Sequence, residues 1–276
     1  MKLTNFSKRV LVIILLCGVL IMCGIVVMQV NKYAQAKQLC EDIKNGKEID
    51  TKIGNATTAP LFIDEIAAIF QVEGVKIPLV EACYYRHSQA VQVLLENGAD
   101  PNFFIEGRWS PLEAAIIHGS VDEKSVEIIE LLIEHGVDVD AHASDTSVIE
   151  IITDRMARGN TSDQMEQVVK MLVIADASIE VRLGGTIFRY LISGGHTELT
   201  EWLMEERNID VNERGYEGMT PLMLVARISP DECVQTSVEW LLDHGADISI
   251  KDDNGKTAYD YAMEKGRTEI AELLKP

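Results

Sequence analysis

Six short triplets recur along this chain, and each of them opens a pattern that is typical of a helix. They are Ile77-Pro78-Leu79, Ser110-Pro111-Leu112, Thr146-Ser147-Val148, Thr186-Ile187-Phe188, Thr220-Pro221-Leu222 and Thr257-Ala258-Tyr259. The steps between their middle residues are 33, 36, 40, 34 and 37 residues. A period of this length indicates stacked helical units, in which each unit buries its apolar side against its neighbours.

Each unit contains the signals for two helices. A Thr or Ser before Pro can cap the free N–H groups of a first helix, and Pro at the first helical position loses no hydrogen bond. Later in each unit, apolar residues at spacings of three and four form the buried stripe of a second helix, as in Val91–Leu95 and Val238–Leu242. Gly98, Gly136 and Gly245 follow such stripes, where a helix end favours a left-handed residue.

These motifs resemble the ankyrin repeat family, which has a Thr-Pro-Leu-His-x-Ala start and a period of roughly 33 residues. The resemblance covers Lys76 to Pro276 and is strongest in the repeats that open at Ile77, Ser110 and Thr220. It implies an all-α ankyrin-repeat solenoid of helix-turn-helix-hairpin units. About six repeats are expected within 76–276, starting near residues 76, 109, 145, 185, 219 and 256.

The chain departs from the family pattern in two respects. The family His at the fourth position of the start motif is absent from every copy, so we expect a weaker hydrogen-bond ladder and a larger contribution from helix packing. Asp176 and Arg207 stand where a terminating Gly belongs in two repeats, so we expect those two helix ends to be less well formed.

The N-terminus carries a second large feature. Residues 1–9 form a short basic segment, and residues 10–30 are 21 uncharged, mostly apolar residues, long enough for a transmembrane helix. Residues 31–75 are interpreted as a spacer and a divergent N-terminal cap. The basic residues that flank the apolar segment are nearly balanced, and the α-amino group favours repeats outside the cytoplasm. The alternative is a signal peptide cleaved after Ala36, with release of the repeats.

Charge and motif content limit the function classes. All 44 acidic residues but only 22 of the 25 basic residues follow the apolar segment, which leaves that part at −22. Such a surface repels nucleic acid and favours a basic or neutral protein or peptide partner. No phosphate-binding loop, catalytic motif or metal-ligand spacing is present, so no catalytic residue, metal site or small-molecule cofactor is predicted. Cys83 is expected to be a buried thiol between helices.

The family resemblance also implies where a partner binds, namely at the hairpin tips and at the two residues that close each first helix. Carried over to this sequence, the closing positions are Tyr84 and Tyr85, Ile117 and His118, Thr153 and Asp154, Ser193 and Gly194, Arg227 and Ile228, and Glu264 and Lys265. Aromatic and Arg side chains are common interface anchors. The predicted partner-binding residues are therefore Tyr84, Tyr85, Arg86, Phe103, Phe104, Arg108 and Trp109.

The sequence thus predicts a membrane-anchored or exported bacterial ankyrin repeat protein, held in the cell membrane by one pass. It is predicted to be no enzyme and to bind a protein or peptide through the concave face and hairpin tips of the stack. Two alternatives stay open. One is a secreted interaction protein, and the other is a regulatory subunit or enzyme with activity in the divergent N-terminal region.

Overall fold

Six pairs of helices follow one another from residue 78 onward in the computed structural model, which describes residues 37–47, 77–104, 108–117, 119–141, 146–181, 185–228 and 231–275. The first helices of the pairs are α1 (Pro78–Tyr84), α3 (Pro111–Ile117), α5 (Val148–Ala157), α7 (Phe188–Ser193), α9 (Pro221–Ile228) and α11 (Ala258–Glu264). The second helices are α2 (Ser88–Glu96), α4 (Glu123–Glu134), α6 (Asp163–Ile174), α8 (Thr197–Arg207), α10 (Asp231–Asp243) and α12 (Thr268–Leu273). Each first helix begins inside one of the six triplets, and the predicted all-α stack of helix pairs is confirmed.

The fourth position of the start motif helps to cap the first helices. At α3, the Ser110 backbone N–H donates to Glu113 Oε2 at 2.7 Å, and the Glu113 N–H donates back to Ser110 Oγ at 3.2 Å. Thr257 and Asp260 form the same reciprocal pair at α11, at 2.8 and 3.3 Å. Acidic residues at this position therefore satisfy N–H groups that have no partner inside the helix.

Second helices end at residues in the left-handed backbone region. Gly98, Gly136 and Gly245 have φ angles of 85, 77 and 86°, as the sequence predicted. Asp176 adopts the same conformation with φ 68°. Its N–H donates to Val173 O at 3.0 Å, which matches the bond from Gly98 to Leu95 O at 2.9 Å. The expectation of a less well-formed end at α6 is therefore wrong.

The end of α8 lies one residue later than expected. Arg207 is the last helical residue, and Asn208 is the left-handed residue with φ 50°. Asn tolerates this conformation better than Arg, because its short polar side chain can hydrogen-bond locally. The Arg207 side chain crosses to the preceding repeat, where it donates to Val173 O at 2.7 Å and pairs with Asp176 Oδ1 at 3.0 Å. Helix α8 is thereby tied to the end of α6.

The helices form two layers around one continuous core. First helices pack in series, α1 on α3 and onward to α11, while α2 packs on α4 and α4 on α6. Leu94, Ile129, Leu172 and Leu241 of the second helices are fully buried between the layers. The stripes read from the sequence are therefore the core, and each repeat depends on its neighbours for burial.

A hydrogen-bond ladder joins successive turns despite the missing His residues. Asn102 Nδ2 donates to Gly136 O at 3.1 Å, and the Asp138 N–H donates to Asn102 Oδ1 at 2.6 Å. Asn212 makes the equivalent bonds to Gly245 O and Asp247 N at 3.2 and 2.8 Å. Asn side chains in the Asp-x-Asn turns therefore link these turns, while the expectation about the ladder that the family His helps to build stays a prediction.

Side chains from neighbouring repeats also satisfy the carbonyl groups at the ends of the first helices. Arg155 Nη1 donates to Ile116 O at 2.9 Å, and Arg267 Nη1 donates to Ala226 O at 2.8 Å. Ser237 Oγ donates to Ile192 O at 2.7 Å. Carbonyl groups in the last turn of a helix lack the usual N–H donor from the following turn, so these side chains from the neighbouring repeat add donors at the ends of the short helices.

The helical residues 37–44 precede the six pairs and resemble a second helix. Cys40 and Ile43 are buried, and Gly46 has a φ of 67°. The Gly46 and Lys47 N–H groups donate to Ile43 O and Asp42 O at 2.9 and 3.0 Å, the pattern found at the end of α2. This part of the predicted cap therefore ends in the same way as the second helices of the repeats.

None of the helices in the described part of the chain is both long enough and apolar enough to cross a bilayer. The predicted transmembrane segment, residues 10–30, lies outside the described residues.

Candidate protein-binding surface

Three of the predicted binding residues form an aromatic stack, defined here as Tyr84, Tyr85 and Trp109. The rings of Tyr84 and Trp109 lie face to face, with centroids 5.2 Å apart and planes 13° apart. Tyr85 meets Tyr84 edge to face, with centroids 5.1 Å apart. Trp109 is 42 % exposed, whereas both Tyr residues are half-buried against the core. The stack is therefore a preformed aromatic surface, whose outermost ring is available to a partner.

Local structure explains why these rings meet. Tyr84 is the last residue of α1, and Trp109 stands immediately before Ser110, which caps α3. Because α1 and α3 pack side by side, the end of one helix and the start of the next bring their aromatic residues together. Sequence positions 25 residues apart thus become neighbours on one edge of the stack.

The other predicted residues of the first hairpin differ in exposure. Phe103 and Phe104 are half-buried after the turn at residues 101–102, and Arg108 is exposed. Residues 105–107 between them lie outside the described residues.

Arg86 has a structural role in addition to its predicted place in the binding surface. It occupies the left-handed region with φ 57°, at a position where other repeats have Gly119 and Gly195. Its guanidinium donates to Asp122 Oδ2 at 2.8 Å and to Ser120 O at 2.6 Å. This side chain joins the first repeat to the second, so its loss would disturb the stack as well as any partner contact.

The carboxyl group of Asp122 is held in its charged form. Burial raises its pKa, but hydrogen bonds from the Ser125 backbone and the nearby Arg86 charge outweigh that effect and lower the pKa below its ordinary value. Asp122 Oδ1 accepts the Ser125 N–H at 3.0 Å and thereby caps α4. The Arg86–Asp122 pair therefore links the end of α1 to the start of α4.

Two of the family contact positions in the middle of the chain are buried. Thr153 is fully buried and donates its hydroxyl to Ile149 O at 2.8 Å. Ser193 is also buried, and its hydroxyl donates to Tyr190 O at 2.9 Å. Arg189, at the fourth position of a start motif, is 6 % exposed, and burial lowers the pKa of its guanidinium. Cys83 is buried as predicted, and burial raises the pKa of its thiol.

A second set of exposed apolar residues lies at the other end of the stack. Tyr216, Ile228 and Met263 are 52, 53 and 49 % exposed. Ile228 was among the carried-over contact positions, whereas Tyr216 and Met263 were not predicted. A Tyr at the tip of a hairpin is a signal that could have been read from the sequence.

The Asp252–Gly255 hairpin, which precedes α11, is organised by its own hydrogen bonds. Asp252 accepts from the Tyr261 hydroxyl at 2.6 Å and from the Lys256 N–H at 2.8 Å. Burial raises the pKa of this carboxyl, but these hydrogen bonds outweigh that effect and lower it. Burial and the hydrogen bond to Asp252 raise the pKa of Tyr261 to about 12. Across the residues that the structure describes, no group of three or more His, Cys, Asp or Glu side chains could hold a metal ion.

Comparisons with known proteins agree with this arrangement. The family described as ankyrin repeats (3 copies) matches residues 32–143, 160–251 and 188–276. A relative, the putative ankyrin repeat protein YahD of Escherichia coli K12, is 33% identical over 100 residues, which cover 36% of this chain and 50% of that protein. The chain therefore matches only half the length of this relative.

Solved structures show the same architecture. The crystal structure of the ankyrin repeat protein EF0377 is 26% identical, with a TM-score of 0.56, and the alignment covers 71% of this chain and 95% of that one. The ankyrin repeat domain of human ASB11 shares the fold at 23% identity and a TM-score of 0.56, over 86% of this chain and 97% of that one. The first of the three matched ranges begins at residue 32. With its paired helices, Asn-linked turns and this match over most of its length, the chain belongs to the ankyrin repeat family.

Proposed function

We propose that this protein is a membrane-tethered interaction module that binds a protein or peptide along the concave face of its ankyrin stack. Ankyrin repeats are general protein-binding modules, and no catalytic motif is present in the sequence. The observation that carries the proposal is the aromatic stack, in which Trp109 is exposed and held in place by Tyr84. A rigid, partly exposed aromatic ring contributes contact area without losing much conformational entropy on binding.

The net charge favours a basic or neutral partner. The part of the chain after residue 30 carries 44 acidic residues against 22 basic ones. The negative electrostatic field of such a surface increases the association rate with a cationic partner more than it strengthens the bound complex. We therefore assign affinity to the aromatic stack and partner selection to the surrounding acidic surface.

Removal of the exposed ring should weaken binding. A partner is first isolated by crosslinking in the native host. Trp109→Ala and Tyr85→Ala are then each expected to weaken its binding by at least about 1–2 kcal/mol. Calorimetry with the purified partner measures the effect, and circular dichroism checks that each variant is folded.

Tyr216→Ala serves as the matched control, because Tyr216 is an exposed aromatic residue at the opposite end of the stack. Its affinity should equal that of the parent protein. Parent-like binding by both N-terminal variants, together with a loss of binding in Tyr216→Ala, would move the site to the C-terminal repeats.

We further propose that residues 10–30 anchor the protein and that its repeats lie outside the cytoplasm. In intact cells from which any wall has been removed, added protease should digest the repeats. Their complete protection until the membrane is permeabilised would place them in the cytoplasm. An intact mass lacking the first 36 residues would instead support the secreted form, because cleavage after Ala36 removes the apolar segment.

A further inference from the structure

A cavity of about 160 Å³ opens at the start of α2, beside the end of the N-terminal helical residues and the start of α4. Its lining consists of Gly46, Lys47, Arg86, His87, Ser88, Gln89, Ala90 and Lys124. A single water molecule needs only ~10–15 Å³ of such space, so the cavity is large enough for a small ligand of several atoms.

The lining contains cationic side chains although the protein as a whole is acidic. Three of its eight residues are Lys or Arg and none is Asp or Glu, although the chain has 44 Asp and Glu against 25 Lys and Arg. Two of the three have neighbouring counter-charges: Lys47 pairs with Asp42 at 2.6 Å, and Arg86 pairs with Asp122 at 2.8 Å. Within the described residues, Lys124 forms no such ion pair. The Lys124 ammonium is therefore the lining cation that no neighbouring carboxylate neutralises.

Backbone and hydroxyl donors lie beside this ammonium group. The first hydrogen bond within α2 runs from the Val91 N–H to His87 O at 3.0 Å, so the N–H groups of the three preceding residues have no acceptor in the helix. The residue at the N-cap, His87, makes no side-chain capping bond. Ser88 contributes a hydroxyl to the lining. Donors from two directions, the cationic side chains and the helix start, thus surround one space.

We propose that this cavity binds a small oxyanion of the phosphate class, either free phosphate or a phosphate monoester. A phosphate group has oxygens in a tetrahedral arrangement, so it can accept from the Lys124 ammonium and from backbone N–H groups at the same time. This site is separate from the aromatic stack and does not depend on the proposed protein partner.

The test is calorimetric titration of the full chain in a mild detergent at low ionic strength. Inorganic phosphate and glycerol 3-phosphate are titrated separately, and saturable binding of at least one of them at a single site is expected. Binding of the free anion alone identifies phosphate itself as the ligand, while equal or tighter binding of the ester identifies an esterified phosphate group.

Lys124→Gln should weaken this binding by about two- to fivefold, the scale of one partly exposed charge interaction. Both Lys124 and Lys265 are exposed, so Lys265→Gln at the far end of the chain is the matched control and should bind like the parent. The proposal is overturned if neither compound shows saturable binding, or if Lys124→Gln and Lys265→Gln reduce it equally.

Discussion

Replacement of Leu241 by alanine is expected to lower the free energy of unfolding by about 2–5 kcal/mol. Leu241 lies in the last turn of α10 and is fully buried. Truncation removes apolar contacts and leaves a cavity, which the helices on either side can fill only in part. Because each repeat buries its stripe against its neighbours, the loss should weaken the whole stack.

Urea denaturation of the full chain in detergent, followed by circular dichroism, measures this effect. Leu273→Ala is the matched control, since Leu273 has the same side chain on a second helix but is 43 % exposed. Its unfolding midpoint should change little. An unchanged midpoint in Leu241→Ala would show that α10 turns a different face to the core.

Gly195→Ala is the second substitution with a large expected effect, about 2–4 kcal/mol of destabilisation. Gly195 lies in the turn between α7 and α8 with φ 81°. A Cβ atom built there would lie 2.9 Å from both Cβ and Sγ of Cys233 on α10. The Cys233 Cβ is fixed to the helix backbone, so a rotamer change cannot relieve the first of these clashes. Backbone strain and overpacking therefore act together.

Gly245→Ala separates the two causes. Gly245 has nearly the same backbone angle, φ 86°, but its Cβ would meet no atom within 4 Å. Only the left-handed strain of about 1–2 kcal/mol remains at that position. Gly195→Ala should therefore lower the free energy of unfolding more than Gly245→Ala does, and the difference is the cost of overpacking. Equal losses would indicate that α10 shifts to accommodate the methyl group at Gly195.

Local signals in the sequence determined much of the fold. The triplets, the apolar stripes and the Gly residues after them act within a few residues of the chain, so helix pairs and their ends could be predicted. Reciprocal capping by Ser110 and Glu113 is also local, and the Ser-x-x-Glu spacing could have been recognised before the structure was known.

Contacts between repeats were decided by the tertiary structure. Arg207 stands where a terminating Gly was expected, but it is the last helical residue, its guanidinium donates to Val173 O of α6, and Asn208 takes the left-handed position instead. Thr153 and Ser193 matched family contact positions but are buried, because the neighbouring repeats cover them.

The candidate binding surface also combines features set by the local sequence with contacts set by the tertiary structure. The sequence by itself determined which residue types stand at the first hairpin and at the end of α1, and their aromatic character made them candidates. Only the tertiary structure stacked Trp109 on Tyr84 and turned Arg86 toward Asp122. The physical reason is that periodicity and capping depend on neighbours along the chain, whereas these contacts depend on how far one repeat rotates on the next.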